Sequence, residues 1–100
     1  MIIYNETVIV DEGIYKEWLH WMQTVHIPAV MATGYFVSSR ILKVMDSPNE
    51  GVTYCIQYHA ASLENYNEFN NTHLQRLQME HQKRFENMFV MFNTLMQTVD

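Results

Sequence analysis

Residues 35–60, YFVSSRILKVMDSPNEGVTYCIQYHA, contain two strand-like runs on either side of a short run of turn-forming residues. The runs are YFVSSRILKVM (35–45) and VTYCIQYHA (52–60), and both contain several β-branched and aromatic residues. The connecting DSPNEG (46–51) holds aspartate, proline, asparagine and glycine, which favour tight turns. The stretch therefore predicts an antiparallel hairpin at the centre of the chain.

A strand and a helix are predicted on each side of this hairpin. Residues 2–10, IIYNETVIV, predict a strand, and apolar residues recur at helical spacing from Ile14 onward. After the hairpin, a helix is expected to begin at Ser62, a residue type favoured at helix N-caps, and residues 88–99 predict the last strand. The predicted element order is therefore βαββαβ.

Both predicted helices contain an interruption. Pro28 has no N–H group, and its ring would clash with the Thr24 carbonyl, so the first helix must kink or restart there. The second helix is rich in asparagine, a poor helix former, and a break is expected near Asn71. The apolar stripe of the first helix consists of Tyr15, Trp18, Leu19, Met22, Val25 and His26.

The element order predicts an α+β fold. Right-handed crossovers place both helices on one face of a four-stranded antiparallel sheet, which is the ferredoxin-like arrangement. One hundred residues are an ordinary length for one domain, so residues 1–100 are expected to form a single ferredoxin-like domain. A half-covered sheet should alternate apolar and polar residues, but these strands carry apolar residues in both registers. We therefore predict a face-to-face homodimer through the open sheet face, with Ile41 and Met91 in the interface.

Four segments of the chain resemble a known family. They are MIIYNETVIVD (1–11), EWLHWMQTVHIPAVMATGYF (17–36), TYCIQY (53–58) and RFENMFVMFNTLMQTVD (84–100). They are similar to a bacterial family of comparable length that is classified as a domain of unknown function. The family resembles the dimeric α+β barrel superfamily, in which two ferredoxin-like sheets pair. That superfamily includes cofactor-free monooxygenases of aromatic polyketides, haem-degrading enzymes, isomerases and small-molecule-binding domains. The family itself implies no catalytic residues.

Composition and charge exclude several classes of function. The chain has a net charge of −5, and its six lysine and arginine residues are scattered. Without a basic stripe we expect no nucleic-acid partner and no docking on anionic membranes. The N-terminus lacks the basic segment of a signal peptide, and no apolar run approaches the roughly 20 residues of a membrane span. Cys55 is the sole cysteine, which excludes an intrachain disulfide and fits a cytoplasmic location.

We predict a group of polar and aromatic side chains on the helix side of the sheet. One alternating register puts Tyr4, Glu6, Arg40, Tyr58 and Thr94 on this face. Two interpretations of the charges are open. Glu6 and Arg40 neutralise each other as a buried ion pair, or Arg40 receives an anionic or enolate-like group of a ligand.

The first helix supplies three further side chains of interest. Trp18 lies on the apolar stripe and is predicted to anchor the core. Trp21 lies at the margin of the stripe, where it faces a pocket edge or a dimer partner. His26 precedes Pro28, and it either caps the freed Thr24 carbonyl or serves as a general base or hydrogen-bond partner of a ligand.

No metal and no cofactor are expected. His20 and His26, like His73 and His81, lack the i, i+4 spacing that places two zinc ligands on one helical face. HLQRLQMEH (73–81) is interpreted as a solvent-exposed face. His73 is the position closest to the haem-binding histidine of some superfamily members, but no haem motif accompanies it.

Three functions remain open. The first is a homodimeric small-molecule-binding domain with an aromatic-lined pocket between the sheet and the first helix. The second is a cofactor-independent monooxygenase or isomerase that acts on a small aromatic or keto compound through His26 and Arg40. The third is a structural or protein-interaction domain without a ligand. The candidate ligand-binding residues are Trp21, His26, Arg40, Tyr58, Glu6 and Tyr4.

Overall fold

The chain forms the predicted elements in the predicted order. The structure is a computed structural model that describes residues 1–48 and 50–100. Its strands are β1 (Ile2–Val10), β2 (Ser38–Lys43), β3 (Val52–Ala60) and β4 (Phe89–Gln97). The first helical region consists of α1 (Tyr15–Trp21), a π-helical turn (Met22–His26) and α2 (Ile27–Ala32). The second consists of α3 (Leu63–Phe69), a π-helical turn (Asn70–Leu74) and α4 (Gln75–Arg84).

The strands form one antiparallel sheet in the order β2–β3–β1–β4, so β2 and β4 are its edges. The helices cover one face, where Val8 and Ile56 of the sheet share a buried core with Trp18 of α1 and Phe69 of α3. This arrangement confirms the predicted ferredoxin-like fold. We call the other side of the sheet the open face. It carries Ile3, Asn5, Thr7, Ile9, Ser38, Arg40, Leu42, Thr53, Cys55, Gln57, His59, Val90, Phe92, Thr94 and Met96.

The first helical region widens into a π-helical turn next to its proline, where a kink or a restart was predicted. The Ile27 N–H donates to the Met22 carbonyl oxygen, five residues earlier, so the turn before α2 is wider than an α-helical turn. Pro28 is the second residue of α2, and because it has no N–H it donates no hydrogen bond to the carbonyls of the preceding π-helical turn. The wide turn keeps Met22 and His26 buried but leaves Val25 exposed, although Val25 was predicted to share the apolar stripe.

The second helical region also follows the sequence closely. Ser62 is its N-cap, and the Ser62 hydroxyl accepts a hydrogen bond from the Asn65 N–H at 3.1 Å. The π-helical turn Asn70–Leu74 contains Asn71, near which a break was predicted. In the predicted hairpin loop (46–51), Asn49 lies outside the described residues.

The two edge strands have a different register from the predicted one. Ile41 of β2 pairs with the fully buried Ile56, so Ile41 faces the helices and Arg40 lies on the open face. In β4, Asn93 pairs with Glu6 and faces the helices, which places Thr94 on the open face. The predictions that Arg40 and Thr94 lie beneath the helices are therefore wrong.

The packing of the edge strands against the core determines which of their side chains face the helices. Both strands carry apolar residues in both registers, so their alternation alone does not select a face. Phe89 of β4 stacks on the ring of His81, with 4.1 Å between the ring centroids, and this contact fixes the helix side of the strand. Met91, two residues further, then faces the helices as Ile41 does. Neither residue is on the face predicted for the dimer interface.

Candidate functional site

A carboxyl group and several phenols lie together on the helix side of the sheet. We call Tyr4, Glu6, Tyr58 and Tyr66 the carboxyl–phenol cluster. Tyr4 and Glu6 are two residues apart on β1 and share a face, and Tyr58 is the cross-strand neighbour of Tyr4 on β3. The Tyr4 ring lies 6.0 Å from the Tyr58 ring and 5.4 Å from the Tyr66 ring of α3. Tyr4, Glu6 and Tyr58 were predicted to share this face, and the structure brings them together.

The hydrogen bonds of this cluster are incomplete. The Tyr4 hydroxyl donates to Glu6 Oε2 at 2.9 Å, and Glu6 is only 2% exposed. Within the described residues, Glu6 Oε1 and the Tyr58 hydroxyl are buried without a hydrogen-bond partner. An unpartnered buried polar atom costs on the order of 1–3 kcal/mol, so each such atom needs a physical explanation.

Burial controls the protonation of Glu6. It raises the pKa of the Glu6 carboxyl to about 7, although the hydrogen bond from Tyr4 opposes this shift. Burial and the neighbouring Glu6 also raise the pKa of the Tyr58 phenol, so that phenol stays protonated at neutral pH. At neutral pH the cluster therefore holds one partly protonated carboxyl, surrounded by protonated phenols.

Arg40 does not belong to this cluster. It is exposed on the open face, where its Nε donates to Gln57 Oε1 at 3.0 Å. The predicted Glu6–Arg40 ion pair and the predicted role of Arg40 beneath the first helix are both wrong, because the sheet separates the two side chains. Arg40 therefore does not balance the charge of Glu6, and at neutral pH that charge is reduced by partial protonation of the carboxyl.

Trp21 and His26 belong to a second group, which we call the histidine–tryptophan stack and which also contains Trp18, His81 and Phe89. Trp18 is fully buried, as predicted, and its Nε1 donates to His81 Nε2 at 2.8 Å. The Trp21 ring stacks on His26 at 5.3 Å and on His81 at 5.7 Å between ring centroids. Since His81 Nε2 accepts a hydrogen bond, the proton of the neutral His81 ring is on Nδ1.

Both histidines of the stack are held neutral. Burial lowers the pKa of His26 to about 4, and burial together with the neighbouring His26 lowers the pKa of His81 to about 3. His26 Nδ1 is buried without a partner among the described side chains. The described residues give His26 no side-chain hydrogen bond, so the predicted cap on the Thr24 carbonyl is not formed.

His81 is a central residue that the sequence interpretation missed. It was assigned to a solvent-exposed face, but it is 1% exposed. The signal was present in the spacing, because His81 follows the apolar Leu74 and Leu77 by seven and four residues. Because histidine is a polar residue type, it was not counted as part of that apolar stripe.

Side chains fill the space predicted to hold a ligand pocket beneath α1. Trp18, Met22 and Tyr54 are all buried there, and the Trp18 and Tyr54 rings are 5.1 Å apart. A groove of about 410 Å³ lies instead between α4 and β4. Its lining residues are Gln78, Gln82, Asn87, Phe89, Met91 and Asn93.

The described residues form neither a cluster of metal ligands nor a membrane-spanning helix. Among residues 1–48 and 50–100, no group of three or more histidine, cysteine, aspartate and glutamate side chains is arranged to hold a metal ion. Over the same residues, the helices are too short or too polar to span a lipid bilayer. Cys55 is a free cysteine on β3.

Several solved structures share this fold. HapK from Hahella chejuensis is 11% identical with a TM-score of 0.72, over 99% of this chain and 93% of that one. SnoaB, a cofactor-independent oxygenase from Streptomyces nogalater, is 9% identical with a TM-score of 0.70, over 99% and 94%. An ethyl tert-butyl ether D (EthD) family protein from Bacillus halodurans is 10% identical with a TM-score of 0.67, over 99% and 100%. Such low identities show a shared fold alone.

Sequence comparison identifies the family. Comparison with curated protein sequences gives no match. A family model described as "Domain of unknown function (DUF4286)" matches residues 1–99, which is almost the whole chain. The match agrees with the resemblance seen in the sequence, and the fold agrees with the superfamily that the resemblance implies. The chain therefore belongs to the DUF4286 family.

Proposed function

We propose that this protein is a homodimeric small-molecule-binding domain in which Glu6 is the polar anchor for the ligand. The observation that carries the proposal is the buried Glu6 Oε1, which has no hydrogen-bond partner among the described residues. A ligand that donates a hydrogen bond to this oxygen would remove the cost of leaving it unpartnered. The rings of Tyr4, Tyr58 and Tyr66 provide an aromatic surrounding for such a ligand.

A second candidate function is catalysis without a cofactor on a small phenol or keto compound. The pKa of Glu6, about 7, is suited to a general base or acid at neutral pH. In this function Glu6 takes a proton from the substrate, and the Tyr58 hydroxyl donates a hydrogen bond to the substrate oxygen on which negative charge develops. SnoaB supports this candidate only by analogy of fold.

Glu6 and Tyr58 take the place of His26 and Arg40, the reacting pair predicted from the sequence. His26, with its pKa lowered to about 4, is too weak a base for efficient proton abstraction at neutral pH. Arg40 is on the opposite face of the sheet.

We further infer a reducing, cytoplasmic location, which the free thiol of Cys55 supports, and no nucleic-acid or membrane partner.

The test is a binding screen on isotope-labelled protein with small neutral phenols and aryl ketones, followed by amide chemical shifts. Binding compounds should shift the backbone signals around Glu6, and Glu6→Gln should weaken their binding by about ten-fold. Glu64→Gln, which changes an exposed carboxylate on α3, is the matched control and should bind as wild type does.

The screen also separates the candidate functions. Turnover of a bound compound that is lost in Glu6→Gln would establish the enzyme, whereas binding without turnover would establish the binding domain. If no compound shifts the signals near Glu6, the ligand proposal is wrong and the third function, a structural domain without a ligand, takes its place.

A further inference from the structure

The groove between α4 and β4 has an unusual lining for a protein surface. We call it the amide groove, because four of its six lining residues are asparagine or glutamine. A side-chain amide both donates and accepts hydrogen bonds and carries no charge. Phe89 and Met91 complete the lining with apolar surface. The volume of about 410 Å³ lies within the range of small-molecule sites.

Two residues connect this groove to the carboxyl–phenol cluster. Asn93 pairs directly with Glu6 across the β1–β4 ladder, and both side chains are on the helix side of the sheet. Gln78 Nε2 donates to the Tyr4 hydroxyl at 3.5 Å, and that hydroxyl donates to Glu6 Oε2 at 2.9 Å. Asn93 is exposed and Gln78 is partly exposed, whereas Glu6 is buried. These two amides are therefore the solvent-accessible groups of the groove that neighbour the carboxyl–phenol cluster.

The groups around Glu6 restrict the charge of a ligand. The titratable groups that face it are the phenols of Tyr4, Tyr58 and Tyr66, which burial keeps protonated. The neighbours contributed by α4 and β4 are the uncharged amides Gln78 and Asn93. An anion placed beside a buried carboxyl without a neighbouring cation is repelled once that carboxyl ionises.

We propose that the amide groove is the route by which the ligand reaches Glu6, and that it selects uncharged ring compounds bearing an amide or phenol group over carboxylates. This inference rests on the proposed function, and it adds the route and the chemical class of the ligand. While the ligand is in the groove, before it reaches Glu6, its amide or phenol group hydrogen-bonds to Asn93 and Gln78 and its ring packs on Phe89 and Met91.

The experiment uses three probes of equal size and different charge: benzamide, benzoate and benzamidine. Each is titrated at pH 7.5 into isotope-labelled full-length protein, and the side-chain NH₂ signals of asparagine and glutamine are followed. Benzamide should shift the signals of Gln78 and Asn93. Benzoate should bind at least about ten-fold more weakly. Benzamidine, which an ionised Glu6 attracts, should bind more tightly than benzoate. Binding of benzoate as tight as that of benzamide, or tighter, would overturn the selection against carboxylates.

A pair of variants on neighbouring residues tests the route. Asn93→Ala should weaken benzamide binding about five-fold or more, because it removes one amide from the groove. Thr94→Ala, the next residue on the opposite face of β4, should leave binding unchanged. A spectrum that retains the wild-type dispersion shows that each variant is folded.

The outcomes separate this inference from the proposed function. If Glu6→Gln weakens benzamide binding but Asn93→Ala does not, the groove is not the route and Glu6 remains the anchor. If Asn93→Ala weakens binding and Glu6→Gln does not, the groove binds the probe and Glu6 is not its anchor. If none of the three probes shifts any signal, both proposals fail.

Discussion

Glu6 is a carboxyl group in the centre of the sheet whose protonation should control part of the stability. Its pKa is about 7 in the folded protein, against an ordinary value of 4.5 in a solvated chain. Because the folded state holds the proton more tightly, stability is greatest below pH 4.5 as far as Glu6 is concerned. It falls as the pH rises to about 7 and is constant above that, where the carboxyl is ionised in both states.

Glu6→Gln should therefore stabilise the protein at high pH. The amide is uncharged and can still accept the hydrogen bond from Tyr4, so we expect a gain of roughly 1–3 kcal/mol in the free energy of unfolding at pH 8. The gain should disappear near pH 4.5. Urea unfolding of wild type and variant across this pH range measures it, with Glu64→Gln as the exposed control. A loss of stability at pH 8 would show that the ionised carboxylate is stabilised in the fold.

The two tryptophans should differ in their importance for stability. Trp18 is fully buried and donates a hydrogen bond to His81, so Trp18→Ala should cost about 3–5 kcal/mol of unfolding free energy. Trp21 is only partly buried, and Trp21→Ala should cost clearly less. Chemical denaturation of the two variants side by side is the measurement. Similar losses of unfolding free energy would mean that the ring contacts of Trp21 stabilise the fold as much as the burial of Trp18 does.

At the scale of elements, the histidine–tryptophan stack joins the first helical region to α4 and β4. His26 ends the first π-helical turn, and its ring is 5.3 Å from that of His81 on α4. The folded-state pKa values of about 4 and about 3 lie below the ordinary 6.5. Both residues therefore contribute stability that is present above pH 6.5 and is lost as the pH falls through 4 to 3. Between pH 4.5 and 6.5 this trend opposes that of Glu6.

His26→Phe should make the protein more resistant to acid. The phenyl ring retains stacking on Trp21, no side-chain hydrogen bond to His26 is seen in the described structure, and the unpartnered Nδ1 is removed. Stability at pH 7 should change by less than about 1 kcal/mol, and the acid-unfolding midpoint should move to lower pH. Circular dichroism during acid titration follows this. The exposed His20→Gln is the control. An unchanged acid midpoint would mean that His26 is not protonated during acid unfolding.

The central strands could be predicted from sequence, and the edge strands could not. In β1 and β3, the register that contains Val8, Val10 and Ile56 makes the better core, so Tyr4, Glu6 and Tyr58 were correctly placed on the helix side. In β2 and β4 both registers are apolar, so the packing of Ile41 and Phe89 decides the face, and that packing is absent from local sequence.

The same reasoning explains which site residues were missed. Asn93 and Gln78 reach Glu6 and Tyr4 only through contacts between residues distant in the chain. Asparagine and glutamine also give no sequence signal that marks them as ligand-binding residues. The carboxyl–phenol cluster could therefore be predicted, but not the amide groove beside it.

At the scale of the whole molecule, the open face leaves apolar side chains uncovered. Val90 is 61% exposed and Phe92 is 57% exposed, and both lie on β4. Leu42 on β2 is exposed at the other edge of the same face. Exposed apolar residues gathered on one face are typical of a surface that a partner covers. These exposed residues support the proposed face-to-face homodimer. We therefore expect Val90, Phe92 and Leu42 in its interface, and not Ile41 and Met91.

Phe92→Glu should therefore separate the homodimer. At micromolar concentration the wild type should sediment at about twice the chain mass of 11.9 kDa, and the variant at the chain mass, because an unpaired charge in the interface is costly. Leu95→Glu is the matched control, since Leu95 is 47% exposed on the same strand but faces the helix side. It should remain a dimer. A monomeric wild type, or dissociation by both variants alike, would contradict this interface.

The position of β4 at the edge of the sheet has a consequence for colloidal stability. The strand is nine residues long, and its sequence FVMFNTLMQ contains no charge, no proline and no glycine. Such an edge readily recruits strands from other molecules into fibrillar stacks. Solutions of the Phe92→Glu chain should consequently remain clear for longer than those of a monomeric variant that adds no charge to β4. The new carboxylate disfavours pairing of this strand with strands of other molecules.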